Sequence, residues 1–113
     1  MANKNNTSFP SCTVTITLTP EARNFLAGTT AGVSHFAIYN DLLDNMAIVD
    51  TSFSKRGNIV PLLTGQAESS AHSMSERWKL GRKSMVRILS TMDDLGIIRL
   101  HTSRLASISD MLS

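Results

Sequence analysis

Arg82, Lys83 and Arg87 lie close together, and on a helix they fall on one side or at its start. Such groups hold phosphates, and an arginine can also grip O6 and N7 of a guanine with two hydrogen bonds. Thr91 continues the same side. Ser84 is short enough to let backbone approach a base or phosphate. A second group, His101-Thr102-Ser103-Arg104, follows where the chain turns back. Recognition of a polyanion is the chemistry these residues can do.

Bond-making chemistry has no comparable set. His35, His72, His101 and Cys12 show no metal-ligand spacing. There is no glycine-rich nucleotide loop and no nucleophile elbow around any serine. Asp93 and Asp94 sit at a helix C-terminus, where the helix dipole disfavours them, and read as exposed rather than as an acid/base pair. The chain reads as a non-enzyme without a metal or cofactor.

The cations need a rod to carry them. Met85, Leu89, Met92 and then Leu95 or Gly96 recur at helical spacing, so one face of that helix packs inward. Gly96 stops it, because a residue without Cβ suits the left-handed conformation that satisfies terminal carbonyls. Before it, Ser69 or Ser70 caps a shorter helix, and Ser73 with Glu76 repeats capping-box spacing one turn later. Ala71, Met74, Ser75 and Trp78 share a face of that helix; Trp78 reads as core, with base stacking as its alternative. After Gly96, Ile97, Ile98 and Leu100 have strand character. Residues 105–112 return as a last strand, with Leu105 or Ala106 and Ile108 inward and Met111-Leu112 closing the domain or a dimer seam.

Residues 70–104 resemble the helix-turn-helix and wing of bacterial winged-helix DNA-binding proteins. The match runs through Gly81, Arg82, Met85, Leu89, Met92 and Leu95-Gly96-Ile97-Ile98, with Met74 and Trp78 bracing. The chain departs from the pattern at Trp78-Lys79-Leu80, where a shorter apolar residue and Gly are commoner. The resemblance implies a mostly α fold with a small β-sheet (α+β): a winged helix-turn-helix with an N-terminal strand-helix extension. The helix-turn-helix would span about 69–95 and the wing about 97–110. It implies a DNA-binding surface of Ser70, Arg82, Lys83, Ser84, Arg87, Thr91, His101, Thr102, Ser103 and Arg104. The partner would be double-stranded DNA and the function transcriptional regulation, with a homodimer to span two half-sites. Gly65 to Ser70 resembles the approach to the helices in plasmid regulators and replication organisers. A mobile-element origin and a replication or partition role are therefore the next reading, and a protein-binding winged helix is a third.

Size and charge agree with this class. With 113 residues there is room for one domain, 12–113, preceded by a polar arm at 1–11. Only 5% of residues are aromatic, so Met, Leu and Ile must fill the core. The net charge is only +2, but the stretch from Arg77 to Arg104 holds seven Arg or Lys against Asp93 and Asp94. The lone Cys12 fits a reducing cytoplasm. No apolar run approaches the ~20 residues of a membrane span, and the N-terminus lacks a secretion signal.

Upstream, residues 13–19 alternate Val14, Ile16 and Leu18 with threonines, as a half-buried strand does. Thr19 and Pro20 begin a short helix that Gly28 ends. A helix at 33–47 would bury Phe36, Tyr39, Leu42 or Leu43, Met46 and Ala47, with Ser34 as cap, His35 in solvent and the Tyr39 hydroxyl at the edge. Strand, helix and helix over 13–47 also describe a ribbon-helix-helix protein, with Thr13, Thr15 and Thr17 facing the major groove. Residues 49–69 read as a loop. Within it, Lys55-Arg56-Gly57-Asn58 read as an exposed turn, with a phosphate contact as the alternative, and Ile59 to Leu63 as a short strand that would pair with the wing.

Overall fold

Apolar stripes and helix caps set the architecture, described for residues 15–103 and 106–111 of a computed structural model. The expected arm at 1–11, Cys12, Thr13 and Arg104 lie outside those residues. The described residues form an α+β mix of four helices and three small antiparallel sheets.

Helix α1 (Pro20–Leu26) starts as anticipated: the Thr19 side chain accepts from the Ala22 amide at 3.1 Å, and Pro20 takes the first helical position. Residues 15–19 preceding it are not a strand; they are irregular and mostly exposed. Alternation alone does not make a strand without a neighbour to pair with, and the ribbon-helix-helix alternative loses its ribbon over Thr15 and Thr17. Strands β1 (Thr29–Thr30) and β2 (Val33–Ser34) form a minimal hairpin leading into helix α2 (His35–Asp44). Ser34 caps α2 by accepting from the Ala37 amide at 3.1 Å.

The inward face of α2 keeps Tyr39 and Leu42, as expected, but takes His35 and Ile38 in place of Phe36. His35, Ile38, Tyr39 and Leu42 are buried, while Phe36 is 53% exposed. The cause is tertiary. The His35 ring stacks on Phe25 at 4.1 Å between centroids. Its Nδ1 meets the Phe25 carbonyl and its Nε2 the Thr30 hydroxyl, each at 2.7 Å. The carbonyl can only accept, so Nδ1 carries a proton. A polar ring with both nitrogens satisfied can be buried, and its position turns Phe36 outward.

Strands β3 (Thr51–Lys55) and β4 (Asn58–Leu62) then make a hairpin where only the second strand was expected. Residues 59–62 pair with β3, not with the C-terminal hairpin; β5 (Gln66–Glu68) takes that place. Helices α3 (Ala71–Trp78) and α4 (Arg82–Asp94) follow, then β6 (Arg99–Thr102) and β7 (Ser107–Asp110) in the sheet order β5-β7-β6. Ser70 is the cap of α3, accepting from Ser73 at 3.3 Å. Gly96 (φ 75°) ends α4, with the Ile97 amide reaching back to the Met92 carbonyl at 2.9 Å.

Met46, Met74, Met85, Met92 and Met111 all lie in the core, with Ile38, Leu42, Ile88, Leu89, Ile97 and Ile98. In β7 the inward residue is Ser109, not Ile108; its hydroxyl donates to that of Ser69 at 2.8 Å, which makes a polar pair tolerable in full burial. Tyr39 is fully buried, hydroxyl included, and that oxygen has no hydrogen-bond partner among the described residues. Burial pushes its phenol above the ordinary value of 10.0.

Tyr39→Phe removes that unsatisfied oxygen, so urea unfolding at neutral pH should show a gain of up to about 1–3 kcal/mol. Because the folded phenol ionises at a higher pH than the unfolded one, the parent's stability is retained below about pH 10 and declines as pH climbs past it. The variant should lack that part of the alkaline decline. A loss of stability in Tyr39→Phe would mean that the hydroxyl is satisfied after all.

Candidate nucleic-acid interface

Helix α4 divides cleanly. Met85, Ile88, Leu89 and Met92 are buried on one side, and Arg82, Lys83, Val86, Arg87 and Ser90 are exposed on the other. Spacing of four residues stacks Arg82, Val86 and Ser90 in one row and Lys83 and Arg87 in the next. No carboxylate among the described residues forms an ion pair with Arg82, Lys83 or Arg87.

The helix is held in place from behind. On α2, Oδ2 of Asp41 accepts from Arg77 Nε at 2.9 Å, Arg77 Nη2 at 2.6 Å and Trp78 Nε1 at 3.0 Å. This joins the end of α3 to α2, and it pairs the charge of Arg77, which stays exposed, with a carboxylate. Trp78 is half-buried against the core rather than a free stacking platform. The α3–α4 link then turns at Lys79, which adopts a left-handed conformation (φ 56°) in the place where Gly is commoner, and Gly81 caps α4 without a side-chain bond.

A concave groove of about 760 Å³ lies beside α4. Ser70, Arg82, Thr102 and Ser103 line it, which brings together residues from the start of α3, the start of α4 and the β6–β7 hairpin. Lys83, Ser84, Arg87, Thr91 and His101 do not line it. Lys83 and Arg87 remain on the outer row of α4, and Ser84 is half-buried.

Four expected site residues are engaged within the protein, Ser70 among them as the cap of α3. Thr91 donates its hydroxyl to the Arg87 carbonyl at 2.8 Å, the usual back-bond of a threonine inside a helix. Ser103 closes the β6–β7 turn, donating to the Ala106 carbonyl at 3.1 Å and accepting from the Ala106 amide at 3.2 Å. His101 reaches diagonally across the β6–β7 pair to Asp110, its Nε2 at 3.0 Å from Oδ2. Exposed cations missing from the expected set are Lys79 at the turn, Arg99 on β6 and Arg56 at the β3–β4 tip. Lys79 and Arg99 were visible in the basic run; only the fold brings Arg56 to this side, where it lines the groove.

Asp110 gathers several of these groups. Burial pushes its carboxyl up, but hydrogen bonds from His101 and Gln66, with the charges of His101 and Arg99, outweigh that and hold it below the ordinary value. Among the described residues no group of three His, Cys, Asp or Glu side chains has the arrangement of a metal site. No described helix is long and apolar enough to cross a membrane. Compared with protein-family models, characterised proteins and solved structures, the chain finds no significant match in any of the three.

A carboxyl depressed on folding stabilises the folded state above its unfolded value, near pH 4, and loses that contribution as pH falls through the lower folded value. Asp110→Asn should therefore lower stability at pH 7 and flatten the acid side of a stability-against-pH curve measured by thermal unfolding. An unchanged acid profile would remove Asp110 from that account.

Proposed function

We propose that this chain is a winged-helix protein that binds double-stranded DNA sequence-specifically, most directly as a transcriptional regulator acting as a homodimer. The observation that carries the reading is on α4. Three cations without carboxylate partners among the described residues stand on its outward side, over a fully buried Met, Ile and Leu stripe. The order α2, β5, α3, α4, β6, β7, interrupted after α2 by the β3–β4 hairpin and with the C-terminal hairpin beside α4, supports the winged-helix part.

On this reading α4 lies in the major groove with its N-terminal half at the base edges. Arg82 makes a bidentate pair with a guanine, and Val86, 45% exposed one turn on, meets a thymine methyl. Lys83 and Arg87 hold phosphates and fix register without reading sequence. The β6–β7 hairpin touches backbone through Thr102 and Arg99. A module of this size reads few base pairs, so two copies on two half-sites are part of the proposal. In such a dimer no strand of the second copy would pair with β7, which is the middle strand of its sheet with both edges paired, and Met111 is packed in the protein's own core.

Fluorescence anisotropy with labelled duplexes over a salt series tests this. Binding should weaken steeply with salt, by about one unit of log–log slope per phosphate contact. Arg87→Ala should weaken all duplexes alike and lower the slope by about one. Arg82→Ala should instead relax discrimination at one base pair, by roughly 1–3 kcal/mol. A parent protein indifferent to duplex DNA even at low salt sinks the proposal.

A further inference from the structure

The β3–β4 hairpin is an excursion the chain does not need for connection. The Ala47 amide donates to the Gln66 carbonyl and the Gly65 amide to the Ala47 carbonyl, both at 2.8 Å, so the chain after α2 already touches the start of β5. Residues 48–64 leave that point and return to it. Asp50 closes the base by accepting from the Thr64 amide at 2.9 Å and the Thr64 hydroxyl at 3.0 Å. Val60 and Leu62 turn inward and are buried. Near the far end, Lys55 reaches Glu68 on β5 at 3.2 Å, which ties the hairpin to the sheet.

Its tip is Arg56-Gly57, with φ of 53° and 81°. Two-residue turns with both central φ positive favour Asn or Gly at the first position, and arginine there is strained. The Arg56 side chain is exposed, with no ion-pair partner among the described residues. With Lys55 it lines the groove that Arg82 lines from α4, and Ser70, Ser73 and Thr102 belong to the same lining. No Asp or Glu lines the groove. The Lys55 ammonium is taken up by Glu68, so the two guanidinium groups of Arg56 and Arg82, beside serine and threonine residues and with no carboxylate in the lining, are what suit phosphodiester oxygens.

We infer that the β3–β4 hairpin is a second backbone-holding arm, whose Arg56 engages a phosphate of the same duplex that α4 reads, with that strand's backbone lying in the groove. This rests on the duplex-binding reading above and adds a contact that α4 and the β6–β7 hairpin do not supply. The strained turn residue then serves through its charge.

Arg56→Asn tests it, because asparagine suits the turn and removes the cation. The variant should melt no lower than the parent, bind duplex several-fold more weakly at low salt, and lose about one unit of log–log salt slope. Arg56→Lys restores the charge and should recover most of that slope. If the parent binds duplex and Arg56→Asn matches it in affinity and slope, the hairpin is not an arm and the α4 reading stands alone. An Arg56→Lys as impaired as Arg56→Asn also overturns the contact, since charge would not be what was lost. Should the parent itself fail to bind duplex, both proposals fall together.

Discussion

The surface of α4 is set by what its other side does. Four side chains, Met85, Ile88, Leu89 and Met92, are buried against the rest of the core and fix the rotation of the helix about its own axis. Each contributes on the order of 1.5–3 kcal/mol by leaving water, so a turned helix would forfeit several kcal/mol at once. Arg82, Lys83 and Arg87 therefore point outward because the apolar face has nowhere else to go. The end of α3, just before the turn into α4, is tied to α2 by a different force, the Asp41 carboxylate that collects three N–H donors from Arg77 and Trp78. Hydrophobic burial sets the angle of α4, and a directional polar contact ties down the helix before it.

Much of this half of the chain was legible because its signals are local. The α3 cap at Ser70, the period of α4, the stop at Gly96 and the returning hairpin each depend on residues within a turn or two of one another. The misplaced features depend on distant partners. His35 reads as a solvent residue until Phe25 and Thr30 are brought to it, and the face of α2 shifts accordingly. Ser109 reads as polar and outward until Ser69 arrives to share a hydrogen bond. Strand β5, only three residues long, has no period to detect. Strand β3 carries one apolar residue, Phe53, among polar ones, and is recognisable only through its pairing with β4.

The candidate site divides along the same line. Charges on α4 follow from helical spacing, which is why Arg82, Lys83 and Arg87 are exposed where the sequence put them. Hydroxyls are harder to assign, because Thr91 and Ser103 can satisfy nearby backbone groups and do so. The contribution of Arg56 is a tertiary fact. It requires knowing that Ala47 and Gly65 meet, so that the excursion between them leans over the groove rather than away from it.

Strand β7 runs between β5 and β6, yet it is synthesised after both. Until it arrives, β5 has no strand to pair with in that sheet, β6 is alone, and the buried Ser69 hydroxyl lacks Ser109. The helices can collapse on local contacts during synthesis, but the sheet beside them closes only at the last step, when one late segment stitches two earlier ones together. Cutting the chain before Ser107 would thus unmake the sheet from its centre and strip two strands of their common neighbour, instead of merely fraying an edge.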